Sequence, residues 1–149
     1  AGIIQTTFKD ETETDLFGEQ SIIVGGMLAL MNASYEILVE SGYPKHLAYI
    51  ECCHEIKQVA DLVYANGIGH MLDEISDTAE LGAYSVIDKI DDKILRNKLK
   101  KILNNIQNGM FAKDLINGSI STKKKEIESS DIEKIGKEIR SFMSKDTDG

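Results

Sequence analysis

Asp15 and Glu19, in "ETETDLFGEQ", stand four residues apart, and Glu51 and Glu55, in "ECCHE", repeat the spacing. On a helix, side chains four apart leave from one face about 5 to 6 Å from each other. Two carboxylates so placed can grip a common object. Unneutralised they cost an exposed helix about 0.2–0.5 kcal/mol. In a buried setting, like charges at 4 Å repel by about 4 kcal/mol at an effective dielectric near 20, so a buried pair requires a cation. Both pairs border apolar residues: Leu16, Phe17, Ile22 and Ile23 around the first, Tyr49, Ile50, Cys52, Cys53 and Ile56 around the second. Hard oxygen donors in this number favour Mg²⁺ or Mn²⁺ over zinc, and four carboxylates balance two divalent ions. Against this stands chance: with 25 acidic residues, such pairs arise readily, and spacing alone favours a solvated helix face.

Other candidates share these segments. Glu51 and His54 have the Glu-x-x-His spacing of di-iron carboxylate bundles, but such sites need two copies, and neither His46 nor His70 has an acid three residues before it. Cys52 and Cys53 lack a third cysteine or a basic cluster and read as small buried residues. Ser76, in "ISDTAELG", is placed to cap a helix. Gly25 and Gly26 each cost a helix about 1 kcal/mol against alanine, which predicts close helix packing there.

The elements that position these residues read as all-α. Apolar residues recur at three- and four-residue steps between glycine and short polar stops, with a single proline in the chain. Residues 1–14 read as irregular, with Thr14 or Asp15 capping a helix to about Ser41. Pro44 opens the next, which ends near Asn66 at "YANG". Further helices are predicted over 68–75, from Ser76 or Asp77, from Asp91 or Asp92 to Gln107, and over "MFAKDLI". In the helix ending at Gln107, Ile94, Leu95, Leu99, Ile102, Leu103 and Ile106 form an apolar stripe. Residues 117–130 read as a loop, the triple lysine at 123–125 as a solvated run, and residues 131–143 as a terminal helix with Ile132, Ile135, Ile139, Phe142 and Met143 on one face. The final "SKDTDG" should fray.

At 149 residues the chain suits one domain, and its formal charge of -8 disfavours nucleic-acid binding. The apolar run "SIIVGGMLALM" is shorter than the roughly 18 to 20 residues of a membrane span, so neither partner is expected. Nothing suggests a secreted disulfide scaffold, and a chain that is not secreted, cytoplasmic or inside an organelle stroma or matrix, is the expectation taken together with the resemblance given below.

The words around the carboxylates are more specific than their spacing. "TTFKDETETDLFGEQ", "GYPKHLAYIECCHEIKQVADLVYANG", "ISDTAELG" and "KKILNNIQNGMFAKDLI" resemble the C-terminal domain of ketol-acid reductoisomerase, in its short form. "IEKIGKEIRSFM" resembles it weakly. Over residues 1–149 the resemblance implies a knotted, multi-helix domain that forms an intertwined homodimer. It pairs in the family with an N-terminal Rossmann domain that binds NADPH, whose G-x-G-x-x-G after a strand is not found in this sequence. "AGIIQTTF", within residues 1–14, resembles the interdomain junction, so Ala1 reads as a cut.

The resemblance implies roles residue by residue. Asp15 would bridge two Mg²⁺ ions and Glu19 would ligate the first, both as catalytic groups. Glu51 and Glu55 would serve the second ion, and Ser76 would hydrogen-bond the substrate carboxylate. The site would be shared, with Asp15 and Glu19 from one chain and Glu51, Glu55 and Ser76 from the other. The implied reaction converts 2-acetolactate or 2-aceto-2-hydroxybutyrate to a 2,3-dihydroxy acid in branched-chain amino-acid biosynthesis. Without the cofactor domain this chain would be inactive as a reductase. Departures lie at Asp73, Glu74, Asp77 and Leu81, where the family usually carries an aromatic or basic residue, asparagine and tyrosine. Two alternatives remain: a non-catalytic dimerisation module derived from the enzyme, and a di-iron-type bundle.

Overall fold

A computed structural model of the chain describes residues 3–118 and 120–145, and Ala1 and residues 146–149 lie outside them with the readings made there. The described residues are mostly helical, with no strand among them. The first helix, α1, spans Phe8–Gly18, earlier than expected. Thr7 caps it, its side-chain oxygen accepting from the Asp10 N–H at 3.1 Å, with Asp10 and Glu11 placed to favour the helix dipole. Thr14, expected as a cap, lies inside the helix, and its hydroxyl donates to the Asp10 carbonyl at 2.7 Å. The polar run "KDETET" concealed the helix because its face is exposed and lacks an apolar stripe.

A π-helical turn, Glu19–Ile23, joins α1 to α2, Gly25–Glu40. The joined run Phe8–Glu40 is long and apolar enough, by length and composition alone, to cross a membrane. Tyr35 in α2 is nevertheless packed against protein, 2% exposed, with its hydroxyl on Asp131. Gly42, at φ 90°, ends the run, and Pro44 precedes α3, Lys45–Tyr49. A second π-helical turn, Ile50–His54, leads into α4, Ile56–Glu74, which breaks at Gly67 (φ 88°) where "YANG" predicts a stop. Then follow α5, Asp77–Ile90, α6, Lys93–Gln107, and α7, Met110–Asn117.

The expected loop at 117–130 contains α8, Ile120–Glu128. Lys and Glu are good helix formers, and Lys123 pairs with Glu126 at 2.9 Å across one turn. The last helix, α9, is Asp131–Lys145.

By contacts the chain forms two units, residues 1–30 with 93–127 and residues 31–92 with 128–149. In the first, α1 and its π turn pack on α6, and the Gln107 amide donates weakly to Glu13 at 3.4 Å. Its described residues include none that is fully buried. The α6 stripe is half-covered except for Ile94, which is exposed, as are Ile22 and Ile23.

The second unit holds the core: Tyr35, Ala48, Cys53, Ile135 and Ile139. α9 lies on α3. Asp131 at its start accepts from the Tyr35 hydroxyl at 2.6 Å and from Lys45 at 2.9 Å. One turn past Ile135, Arg140 donates to the Tyr49 hydroxyl at 3.0 Å and pairs with Glu133 at 2.9 Å. Of the expected α9 face, Phe142 and Met143 remain exposed.

Candidate metal site

Asp15 and Glu19 are held one α-helical turn apart, because the Glu19 N–H bonds back to the carbonyls of Asp15 and Leu16. The helix then widens. The Val24 N–H reaches the Glu19 carbonyl at 3.0 Å, five residues back instead of four. Both carboxylates are exposed.

Glu51 and Glu55 lie across the second wide turn, where the Glu55 N–H bonds the Ile50 carbonyl at 3.2 Å. They too are exposed, whereas Cys53 between them is buried with Ala48 in the core. The helix thus turns the Cys53 side into the core and presents the two acids to solvent. None of the four carboxylates has a hydrogen bond or ion pair to a protein group among the described residues. Their side chains are available to a ligand, but their exposure means that no burial in this chain alone compels one.

The cysteines behave as their composition suggests. Burial pushes the Cys53 thiol up to about 11, and burial together with the charge of Glu51 raises Cys52. Neither is activated as a nucleophile. Ser76 caps α5, its Oγ accepting from the Ala79 N–H at 3.2 Å. That contact uses an oxygen lone pair and leaves the hydroxyl proton free to donate to an anion. Asp73, Glu74 and Asp77 are exposed around it.

The first pair belongs to the first unit, and the second pair with Ser76 to the second. Among the described residues no three His, Cys, Asp or Glu side chains gather to hold one ion. In the first π turn the Gln20 side-chain nitrogen is buried without a partner, a condition that costs about 1–3 kcal/mol.

The wide turns were not foreseen, although Gly25 and Gly26 signalled one of them. The glycines were expected to admit a neighbouring helix. Instead a Cβ at Gly25 would stand 3.2 Å from the Gln20 carbonyl carbon, and one at Gly26 would stand 2.9 Å from that of Ser21, closer still to the two oxygens. The crowding comes from the helix's own backbone.

Residues 8–145 match the family described as "Ketol-acid reductoisomerase, C-terminal domain". The chain is 45% identical to "Ketol-acid reductoisomerase (NADP(+))" of Mycobacterium avium over 97% of its own length and 45% of that protein's. It is 44% identical, with the same coverage, to the protein of that name from Mycolicibacterium paratuberculosis (strain ATCC BAA-968 / K-10). It therefore spans a little under half the length of these relatives. A solved structure titled as an NADH-preferring ketol-acid reductoisomerase from an uncultured archean superposes with a TM-score of 0.89 at 38% identity, over 94% of this chain and 44% of that one. The helices, their order and this match over nearly the whole sequence place the chain in the ketol-acid reductoisomerase family, as its C-terminal domain.

Proposed function

We propose that this chain is the metal- and substrate-binding part of an enzyme that converts 2-acetolactate or 2-aceto-2-hydroxybutyrate to the 2,3-dihydroxy acid. The observation that carries this reading is the family match over 8–145, with both carboxylate pairs within it free of protein partners. Unpaired oxygen donors suit two hard divalent cations such as Mg²⁺. When bound, these ions would offset the negative charge that develops on the substrate oxygens as the alkyl group migrates.

Asp15 and Glu19, fixed one turn apart, bind and orient one face of that centre, and Glu51 and Glu55 bind the other. In this reading Glu19 also accepts the substrate hydroxyl proton. Ser76 orients the substrate by donating its remaining proton to the carboxylate. The hydride comes from a nicotinamide dinucleotide held outside this chain. The relatives' names differ between NADP(+) and NADH, and NADPH is the cofactor proposed here.

The site is shared in a homodimer, with the partner's Glu51, Glu55 and Ser76 completing the pair from the first chain. Surface area supports the association of two subunits. Two separate compact bodies of the sizes of these units would expose roughly 9,000 Å² together, whereas the chain exposes 11832 Å². An obligate dimer interface buries roughly 1,000–2,500 Å² of each subunit, an excess of that order. A subunit seated there would also offer a partner for the orphaned Gln20 amide.

Titration of the full-length enzyme with Mn²⁺, followed by electron paramagnetic resonance of the free ion, tests the reading. Two ions per site are expected, with saturable binding and turnover lost in Asp15→Ala while the dimer persists. Unaltered binding in Asp15→Ala would refute the site. No binding by the unaltered enzyme would favour the non-catalytic dimerisation module.

A further inference from the structure

Each carboxylate pair is adjacent to or astride a π-helical turn: Glu19 opens one, and Glu51 and Glu55 flank the closure of the other. Such turns fit one extra residue into a helix and recur at functional sites. An α-helix advances about 100° per residue, so one extra residue rotates everything before it by roughly that angle relative to an unbroken helix. Without the first wide turn, Asp15 and Glu19 would swing about a quarter-turn around the helix axis relative to the segment that begins at Gly25. α1 is meanwhile held from the side by α6. The turn reconciles that packing with the direction of the two acids.

The turn also has a requirement. Its closure brings the Gln20 and Ser21 carbonyls into the space where side chains at positions 25 and 26 would begin. The obstructing atoms are backbone, which cannot rotate away as a flexible side chain can. Only hydrogen at both positions leaves the wide turn intact.

We propose that Gly25 and Gly26 are positioning residues for the first carboxylate pair: they admit the π turn at Glu19–Ile23 that sets the direction of Asp15 and Glu19. The assignment rests on the metal reading above and adds two residues that touch neither metal nor substrate.

The test uses the full-length holoenzyme and Mn²⁺ as the probe. Gly25→Ala and Gly26→Ala should each raise the Mn²⁺ Kd at least tenfold, with helix content and dimer retained and with kcat largely restored at saturating Mn²⁺. Gly82→Ala, whose added Cβ would meet nothing within 4 Å, should leave the Kd unchanged. Folded glycine variants that bind Mn²⁺ within twofold of the parent would overturn the proposal. If the two alanine variants fold poorly, deleting Val24 from the doubly substituted chain removes the extra residue and lets both alanines fit a regular helix. Helix content should then recover without Mn²⁺ affinity; recovered affinity, or no recovery of helix, would overturn the proposal. Asp15→Ala separates the two claims: binding lost there but kept in the glycine variants refutes only the positioning role, and binding kept in Asp15→Ala refutes the metal site itself.

Discussion

Gly136→Ala tests how tightly α9 is fitted to the helix that carries Glu51 and Glu55. In an unconstrained helix interior, glycine to alanine stabilises by about 0.5–1 kcal/mol. Here the new methyl would stand 2.7 Å from three atoms of Tyr49: Cε2, Cζ and the hydroxyl oxygen. The ring cannot withdraw freely, because its hydroxyl accepts from Arg140 and Ile50 beyond it begins the π turn. Overpacking of this kind costs about 1–3 kcal/mol. The helix gain offsets only part of that cost, and losing the Arg140 bond would add about 1 kcal/mol. A net loss of about 1–3 kcal/mol is expected, or a Tm lower by roughly 3–9 °C at fixed protein concentration. Thermal and urea unfolding followed by circular dichroism would measure it. The control is the same substitution in a Tyr49→Leu background, where the obstruction is gone and alanine should become neutral or stabilising. Stabilisation by Gly136→Ala with Tyr49 present would refute the argument, because the contact would then have no energetic consequence.

Two further outcomes follow from the core of the second unit. Burial first, then the hydrogen bond to Asp131, holds the Tyr35 hydroxyl well above its ordinary value of 10.0. A raised folded-state pKa gives stability that is complete below the unfolded value and lost as pH rises beyond it. Tyr35→Phe should therefore weaken the fall in stability above about pH 10 in urea titrations, and an unchanged alkaline slope would refute the assignment. Cys53, pushed up to about 11 by burial, should react with a disulfide reagent at pH 8 at least ~100-fold more slowly than an unfolded thiol, on thiolate fraction alone. A rate within tenfold of the unfolded thiol would show the side chain to be open to solvent.

Much of the helix pattern was legible, because it rests on local chemistry. Gly67 stops a helix by adopting positive φ, Ser76 caps one with its own oxygen, and the α6 stripe appears where its three- and four-residue spacing puts it. The start of α1 was missed because its stabilising contact is one Thr7 hydroxyl and its faces are polar. The π turns were missed for another reason: a five-residue hydrogen bond leaves no periodicity of its own in so short a segment. Apolar stripes say that a face is suited to cover, without naming what covers it. Ile132 and Ile135 were expected on one face with Phe142, and Phe142 is exposed in the single chain. The candidate site was legible as two carboxylate pairs and a serine. Spacing could not reveal that the pairs belong to different units or that their helices widen beside them.

The clamp between α9 and α3 also fixes an order of events during synthesis. Tyr49 leaves the ribosome about ninety residues before Arg140, its hydrogen-bond donor, and Tyr35 leaves still earlier relative to Asp131. Contacts this distant in sequence cannot form while the chain is partly made. The segment bearing Glu51 and Glu55 therefore waits, exposed, for nearly the whole domain to be translated. A chain that stops short of Asp131 would retain all four carboxylates and Ser76, yet lack the helix that holds the second pair in place.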